Sequence, residues 1–163
     1  MDRERTTFKN PKSTILNPKW IVLFFPWIIS LLMGCEPQLV DDPIPLTAFN
    51  DVVINLSLPT FSKLRVDGGI YAIDNIGVRG VFVYRVNATT FHAYERNCSY
   101  HPNEAGSTIN IHSSNLFFQD PSCNSNFNFE EGNPTGGPAW RPLRRYHTDV
   151  LGNTLTITSD VIN

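Results

Sequence analysis

Arg79 to Val86 reads RGVFVYRV, a nearly unbroken run of β-branched and aromatic residues, and Thr90 to Tyr94 (TFHAY) continues it after the polar Asn87-Ala88 pair. Two such runs across a short polar break predict a β-hairpin. Asp51 to Leu58 (DVVINLSL) partly alternates, and Thr108 to His112, Asn115 to Phe118, Arg145 to Val150 and Thr154 to Thr158 add further candidate strands. The last two are joined around Gly152-Asn153. Each run is too short for a typical helix. Pro59 to Leu64 alone suggests a helical turn, with Ser57 or Leu58 as its cap and Gly68-Gly69 as its stop. Between Asn97 and Trp140, Pro, Gly, Asn and Ser crowd together, which predicts a loop-rich region set between the strands of a more regular base. The pattern is that of an all-β domain, and 12% aromatic residues over 163 positions agree with it.

The amino terminus follows a different pattern. Arg3, Arg5, Lys9, Lys12 and Lys19 precede the apolar run Trp20 to Gly34, WIVLFFPWIISLLMG, and Cys35 comes directly after it. A basic stretch and then about 15 apolar residues match a secretory signal. The alternative is a transmembrane anchor, for which the run is short of the roughly 20 apolar residues a span needs and is interrupted by Pro26. Leu32-Met33-Gly34-Cys35 resembles the bacterial lipobox. That resemblance implies lipidation of Cys35, loss of residues 1–34 and a mature protein held to a membrane of the bacterial cell envelope by acyl chains, outside the cytoplasm. Residues 35–45, rich in Pro and acid, read as a tether, and 46–163 as the β domain. With the basic leader removed, eight Lys and Arg face thirteen Asp and Glu, so nucleic acid is not an expected partner.

Two cysteines remain beyond Cys35. Export would place Cys98 and Cys123 in an oxidising compartment, where an even pair more often forms a disulfide than a metal site. The bridge would close a loop of about 25 residues and contribute roughly 3 kcal/mol. Free thiols are one alternative. Zinc is the other, because Cys98-Ser99-Tyr100-His101 has C-x-x-H spacing, with His112 and Cys123 as further donors, although the intervals match no common zinc module. His92 and His147 fall in predicted strands and read as ordinary strand residues. No nucleophile elbow, H-E-x-x-H or phosphate loop occurs, and Glu130-Glu131 before Gly132 reads as a solvated turn. No catalytic constellation is present, so an enzyme is not expected.

The most specific pattern lies in the last third. Asp120 to Phe127 reads DPSCNSNF, and Gly132, Gly137-Pro138-Ala139, Pro142-Leu143, Tyr146 and the strand TLTI follow. This resembles the second half of a Rieske iron-sulfur domain, where C-P-C-H-G-S-x-F carries a cysteine and a histidine ligand and a G-P-A…P-L…Y stretch leads back to the base sheet. Pro121, Ser125 and Phe127 fall in register. The family's first ligand pair, C-x-H, then corresponds to Cys98-Ser99-Tyr100, and the similarity runs from about Gly69 to Ile157. It implies a Rieske-like fold with antiparallel base sheets (about 46–95 and 141–158) and a small lobe (about 96–140) inserted between them.

At the ligand positions the sequence departs from the family. A Rieske centre takes two thiolates on one iron and two imidazoles on the other. In register, Cys98 keeps the first thiolate, Tyr100 replaces the first imidazole, Asp120 the second thiolate and Cys123 the second imidazole. The family's bridging cysteines are absent, with Ser122 at one and no cysteine near Asn103 to Gly106 at the other; Cys98 and Cys123 would lie on the two facing loops and could bridge them. The expectation is a membrane-anchored lipoprotein with no cofactor and a non-catalytic binding or assembly role, its protein partner left open. The rivals are electron transfer through an altered 2Fe–2S centre and an accessory subunit of an envelope oxidoreductase.

Overall fold

The computed structural model describes residues 42–163. The signal segment 1–34, Cys35 and the first part of the tether lie outside the described residues. Ten strands follow in order: β1 (Val52–Asn55), β2 (Ile70–Ile73), β3 (Val81–Arg85), β4 (Phe91–Glu95), β5 (Asn110–Ile111), β6 (Phe118–Gln119), β7 (Asn126–Phe127), β8 (Pro134–Gly136), β9 (Arg145–Leu151) and β10 (Thr154–Val161). A 3-10 helix, Pro59–Arg65, links β1 to β2; Leu58 caps it without a side-chain hydrogen bond and a proline opens it. The chain is all-β. Six strands form one sheet in the order β1-β10-β9-β4-β3-β2, four short ones form a second in the order β5-β6-β7-β8, and every pairing is antiparallel. The small sheet is inserted between β4 and β9, which is the base-and-lobe layout that the Rieske resemblance implies.

The burial of β3 explains why its sequence is so continuously apolar. Side chains alternate across a strand. Val81 and Val83 point into a core with Ile54, Leu64, Phe91, Ala93, Tyr146, Leu155 and Ile157. Phe82 and Tyr84 point the other way, into a second core with Tyr94, Cys98, Ile109, Phe118, Phe127 and Leu143. The lobe therefore covers the back of the β3–β4 hairpin, and a strand buried on both faces loses polar alternation. Phe82 stacks on Phe118 with ring centroids 4.9 Å apart, and Phe118 meets Phe129 edge-on at 4.6 Å. By contrast, Leu155 and Ile157 of β10 are buried while Thr154, Thr156 and Thr158 are only partly so, matching the alternation of TLTIT.

Residues 42–45, the end of the segment read as a tether, lie on the domain. Arg141 Nη1 donates to the Asp42 carbonyl at 2.8 Å and Arg144 Nη1 to the Pro45 carbonyl at 2.8 Å. Residues 42–45 lie outside any strand, so these carbonyls have no ladder partners and two arginines supply the donors.

Candidate functional site

The site forms where two lobe loops face each other. The first begins as the chain leaves β4: Asn97 pairs with Thr108 in an isolated bridge, and Cys98 N donates to Ser107 O at 3.1 Å. This places Cys98 and Ser107 side by side, both fully buried. The second loop is the turn from β6 to β7. Asp120 N donates to Ser125 O at 2.9 Å and Asn124 N to Asp120 O at 2.8 Å, while Asn124 takes φ 59°, a conformation asparagine tolerates. The turn brings Asp120, Ser122, Cys123 and Ser125 round a single point.

A third segment clamps both loops. Gly137 has φ 78°, and a Cβ there would lie 2.4 Å from Asn124 O and 2.6 Å from Ser125 Cα, so only glycine permits this approach. Ala139 N donates to Ser125 Oγ at 3.1 Å. Two residues later, the Arg141 guanidinium donates to Ser99 O at 3.1 and 2.6 Å, and Ser99 Oγ donates to Arg141 O at 2.7 Å. The serine of DPSCNSNF and the G-P-A stretch are thus two halves of one contact.

At the centre, Cys98 Sγ, Asp120 carboxylate oxygen and Cys123 Sγ all lie within 4.8 Å of one another. The two sulfurs are 4.0 Å apart, about twice a disulfide bond length, and both cysteines are free thiols. The facing that the resemblance implies is therefore present, with the sulfurs in contact but unbonded. The single Cys123 thiol proton has two acceptors in reach, Ser125 Oγ at 3.0 Å and Asp120 Oδ2 at 3.4 Å. Ser122 donates to Asp120 Oδ1 through its amide at 2.8 Å and its hydroxyl at 2.7 Å, and Ser107 Oγ donates to Oδ2 across the gap at 3.0 Å. Asp120, with no exposed surface, thereby ties the two loops together.

Electrostatics follow from this wiring. Burial alone would raise the Asp120 pKa, but the hydrogen bonds from Ser122, Cys98 and Ser107 outweigh it and hold the carboxyl below its ordinary value. Burial pushes the Cys98 thiol up, the Tyr100 amide opposes this in part, and the Asp120 carboxylate adds to the rise. The resting arrangement is an Asp120 carboxylate held by hydroxyl and amide donors beside a Cys98 thiol that burial keeps protonated. A depressed folded-state carboxyl stabilises the fold above the unfolded value of 3.8 and loses that contribution as pH falls through the folded value. Acidification below about pH 4 is therefore expected to loosen the 107 and 120–125 loops, read as faster amide exchange there. Asp120→Asn should lack that acid step; an identical acid profile in the variant would contradict the assignment.

Of the residues expected at the site, Cys98, Asp120 and Cys123 converge. Tyr100 does not join the trio: it packs on the second core with its ring 4.0 Å from that of His101. The zinc alternative with two histidines is not assembled either. His101 Nδ1 lies 3.7 Å from Glu104 Oε1, and His112 binds Ser114 and stacks on Phe117. His92 and His147 sit in β4 and β9 as expected. Two thiols and one carboxylate, with no histidine among the described residues beside them, are not the donors of a Rieske centre. Sequence reasoning missed Ser107 and did not recognise how Ser122 and Ser125 hold the turn, because hydroxyl partners carry no spacing signal.

It also missed Glu95. This fully buried carboxylate at the end of β4 accepts hydrogen bonds from Val78 N at 2.8 Å, Arg79 N at 3.0 Å, Asn97 N at 3.1 Å and Tyr146 Oη at 2.8 Å. Arg79, placed by it, reaches Asn97 Oδ1 at 2.6 Å and the carbonyls of Ala105, at 2.6 Å, and Glu104. Base and lobe are joined through this neck.

No protein-family model matches the chain, and no curated protein is similar to it. Among solved structures, one chain of the "Complex of reduced oxygenase and oxidized ferredoxin in carbazole 1,9a-dioxygenase" is similar over 60% of this chain and 86% of its own length, at 20% identity and a TM-score of 0.43.

Proposed function

We propose that the chain is a lipid-anchored protein of the bacterial cell envelope whose Rieske-like lobe carries no 2Fe–2S cluster and serves a non-catalytic binding or assembly role. One observation supports this most: Asp120, at a cluster-ligand position in the resemblance, has its two carboxylate oxygens engaged by Ser107 and Ser122, so side chains link the loops that a cluster would otherwise link. The anchor rests on the basic leader, the apolar run and Cys35.

Fractionation tests the reading. The wild-type chain should partition into detergent and lack residues 1–34 by mass spectrometry, and Cys35→Ala should leave the membrane fraction. An uncleaved amino terminus with unchanged partitioning in Cys35→Ala would replace the lipid anchor with a spanning segment.

A further inference from the structure

We infer that Cys98, Asp120 and Cys123 form the three-donor face of a mononuclear site for a thiophilic divalent cation of the zinc type, with one coordination position open. The geometry is already close to what such an ion requires. With metal–sulfur bonds of about 2.3 Å and metal–oxygen bonds of about 2.0 Å, tetrahedral angles separate two thiolates by about 3.8 Å and a thiolate from a carboxylate oxygen by about 3.5 Å. The sulfurs stand 4.0 Å apart, and Cys123 Sγ stands 3.4 Å from Asp120 Oδ2. Two of the three donor separations are thus within a few tenths of an ångström of the tetrahedral values, and the third, Cys98 Sγ to the Asp120 carboxylate, is within 4.8 Å.

The surroundings favour a held ligand set over a chance cluster. Ser122 fixes Asp120 Oδ1 through two hydrogen bonds and Ser107 fixes Oδ2 through one, which orients the carboxylate as outer-shell partners orient metal ligands. Oδ2 is also one of the two acceptors in reach of the Cys123 thiol, and the lone pair facing that sulfur is the one a cation would take. Two sulfur donors select a soft or borderline ion over magnesium or calcium. Cys98 and Asp120 are buried while Cys123 is partly exposed, so entry and the open position lie on the Cys123 side. Binding releases one proton from each thiol to solvent; two thiolates and a carboxylate then balance the dication to a net charge of −1.

The inference rests on the proposed function only in taking the site to be free of a two-iron cluster. The test is a cobalt titration of the full chain in detergent, kept reduced with a non-thiol phosphine, followed by displacement with zinc. One cobalt per chain is expected, with visible absorption of tetrahedral cobalt, thiolate-to-cobalt charge transfer, and loss of both on adding zinc. Cys123→Ser should weaken binding by at least about 100-fold, and Asp120→Asn, which can keep a carbonyl oxygen toward Ser122, by about 10- to 100-fold. Amide exchange in β3 and β4 reports whether each variant is folded. Iron-free wild-type protein that leaves cobalt octahedral, or a folded Cys123→Ser variant with an unchanged cobalt spectrum, would overturn the inference alone. Stoichiometric iron and sulfide in the protein as isolated would overturn both it and the proposed function.

Discussion

Glu95→Ala is expected to destabilise the domain by about 3–5 kcal/mol, read as a lowered urea midpoint at unchanged slope. The carboxylate has no exposed surface and accepts hydrogen bonds from three backbone amides and the Tyr146 hydroxyl. Alanine strands Val78 N, Arg79 N and Asn97 N in the neck. Each buried, unsatisfied donor costs roughly 1–3 kcal/mol, and water entering the vacated space returns part of the sum. A domain of this size has roughly 5–15 kcal/mol in total, so the loss is a large fraction of it. Glu95→Gln should cost less, about 1–3 kcal/mol. Its oxygen can serve Arg79 and Asn97 while the Tyr146 hydroxyl turns to accept from the new amide, and only Val78 N loses its partner. Equal urea midpoints for wild type and Glu95→Ala would mean that the neck is held by packing alone.

Gly137→Ala carries the second-largest expected effect, about 2–4 kcal/mol, and it is confined to the lobe. The added Cβ meets backbone rather than a side-chain end that could swing away, at 2.4 Å from Asn124 O and 2.6 Å from Ser125 Cα, and φ is 78°. Strain and overlap therefore add. The 120–125 turn must move, and amide exchange should rise there before it rises in β3 and β4. Gly152→Ala is the control: φ is 59° but nothing lies within 4 Å, so only the backbone term of about 1 kcal/mol applies. Equal losses from the two substitutions would show that the clamp contributes nothing beyond backbone conformation.

What could be read in advance divides along physical lines. The β3–β4 hairpin was legible because a strand covered on both faces must be apolar throughout, and RGVFVYRV carries that signature within eight adjacent residues. The 3-10 turn was legible from Pro59 and its following glycines. β7 and β8 were not, since Asn126–Phe127 and Pro134–Gly136 are strands only by virtue of their neighbours. β2 was missed for a related reason: IYAI has no alternation and is extended because it pairs with β3. β10 runs past Thr158 to Val161 through an irregularity after Ile157 that no apolar pattern marks. At the site, the approach of Cys98, Asp120 and Cys123 followed from the resemblance. Glu95 did not: among its partners, Val78 is 17 positions away and Tyr146 is 51, and a glutamate at a strand end looks solvated until those partners are in place.

The central claim is that the lobe is closed by its own side chains around Asp120, with no 2Fe–2S cluster between the loops. Iron, acid-labile sulfide and the visible spectrum of the full chain, purified anaerobically in detergent and measured before and after dithionite, test it most directly. The account predicts no sulfide, no iron and a featureless visible spectrum that dithionite leaves unchanged. Iron and sulfide in equal stoichiometric amounts, with absorption that bleaches on reduction, would contradict it and make the chain an electron carrier.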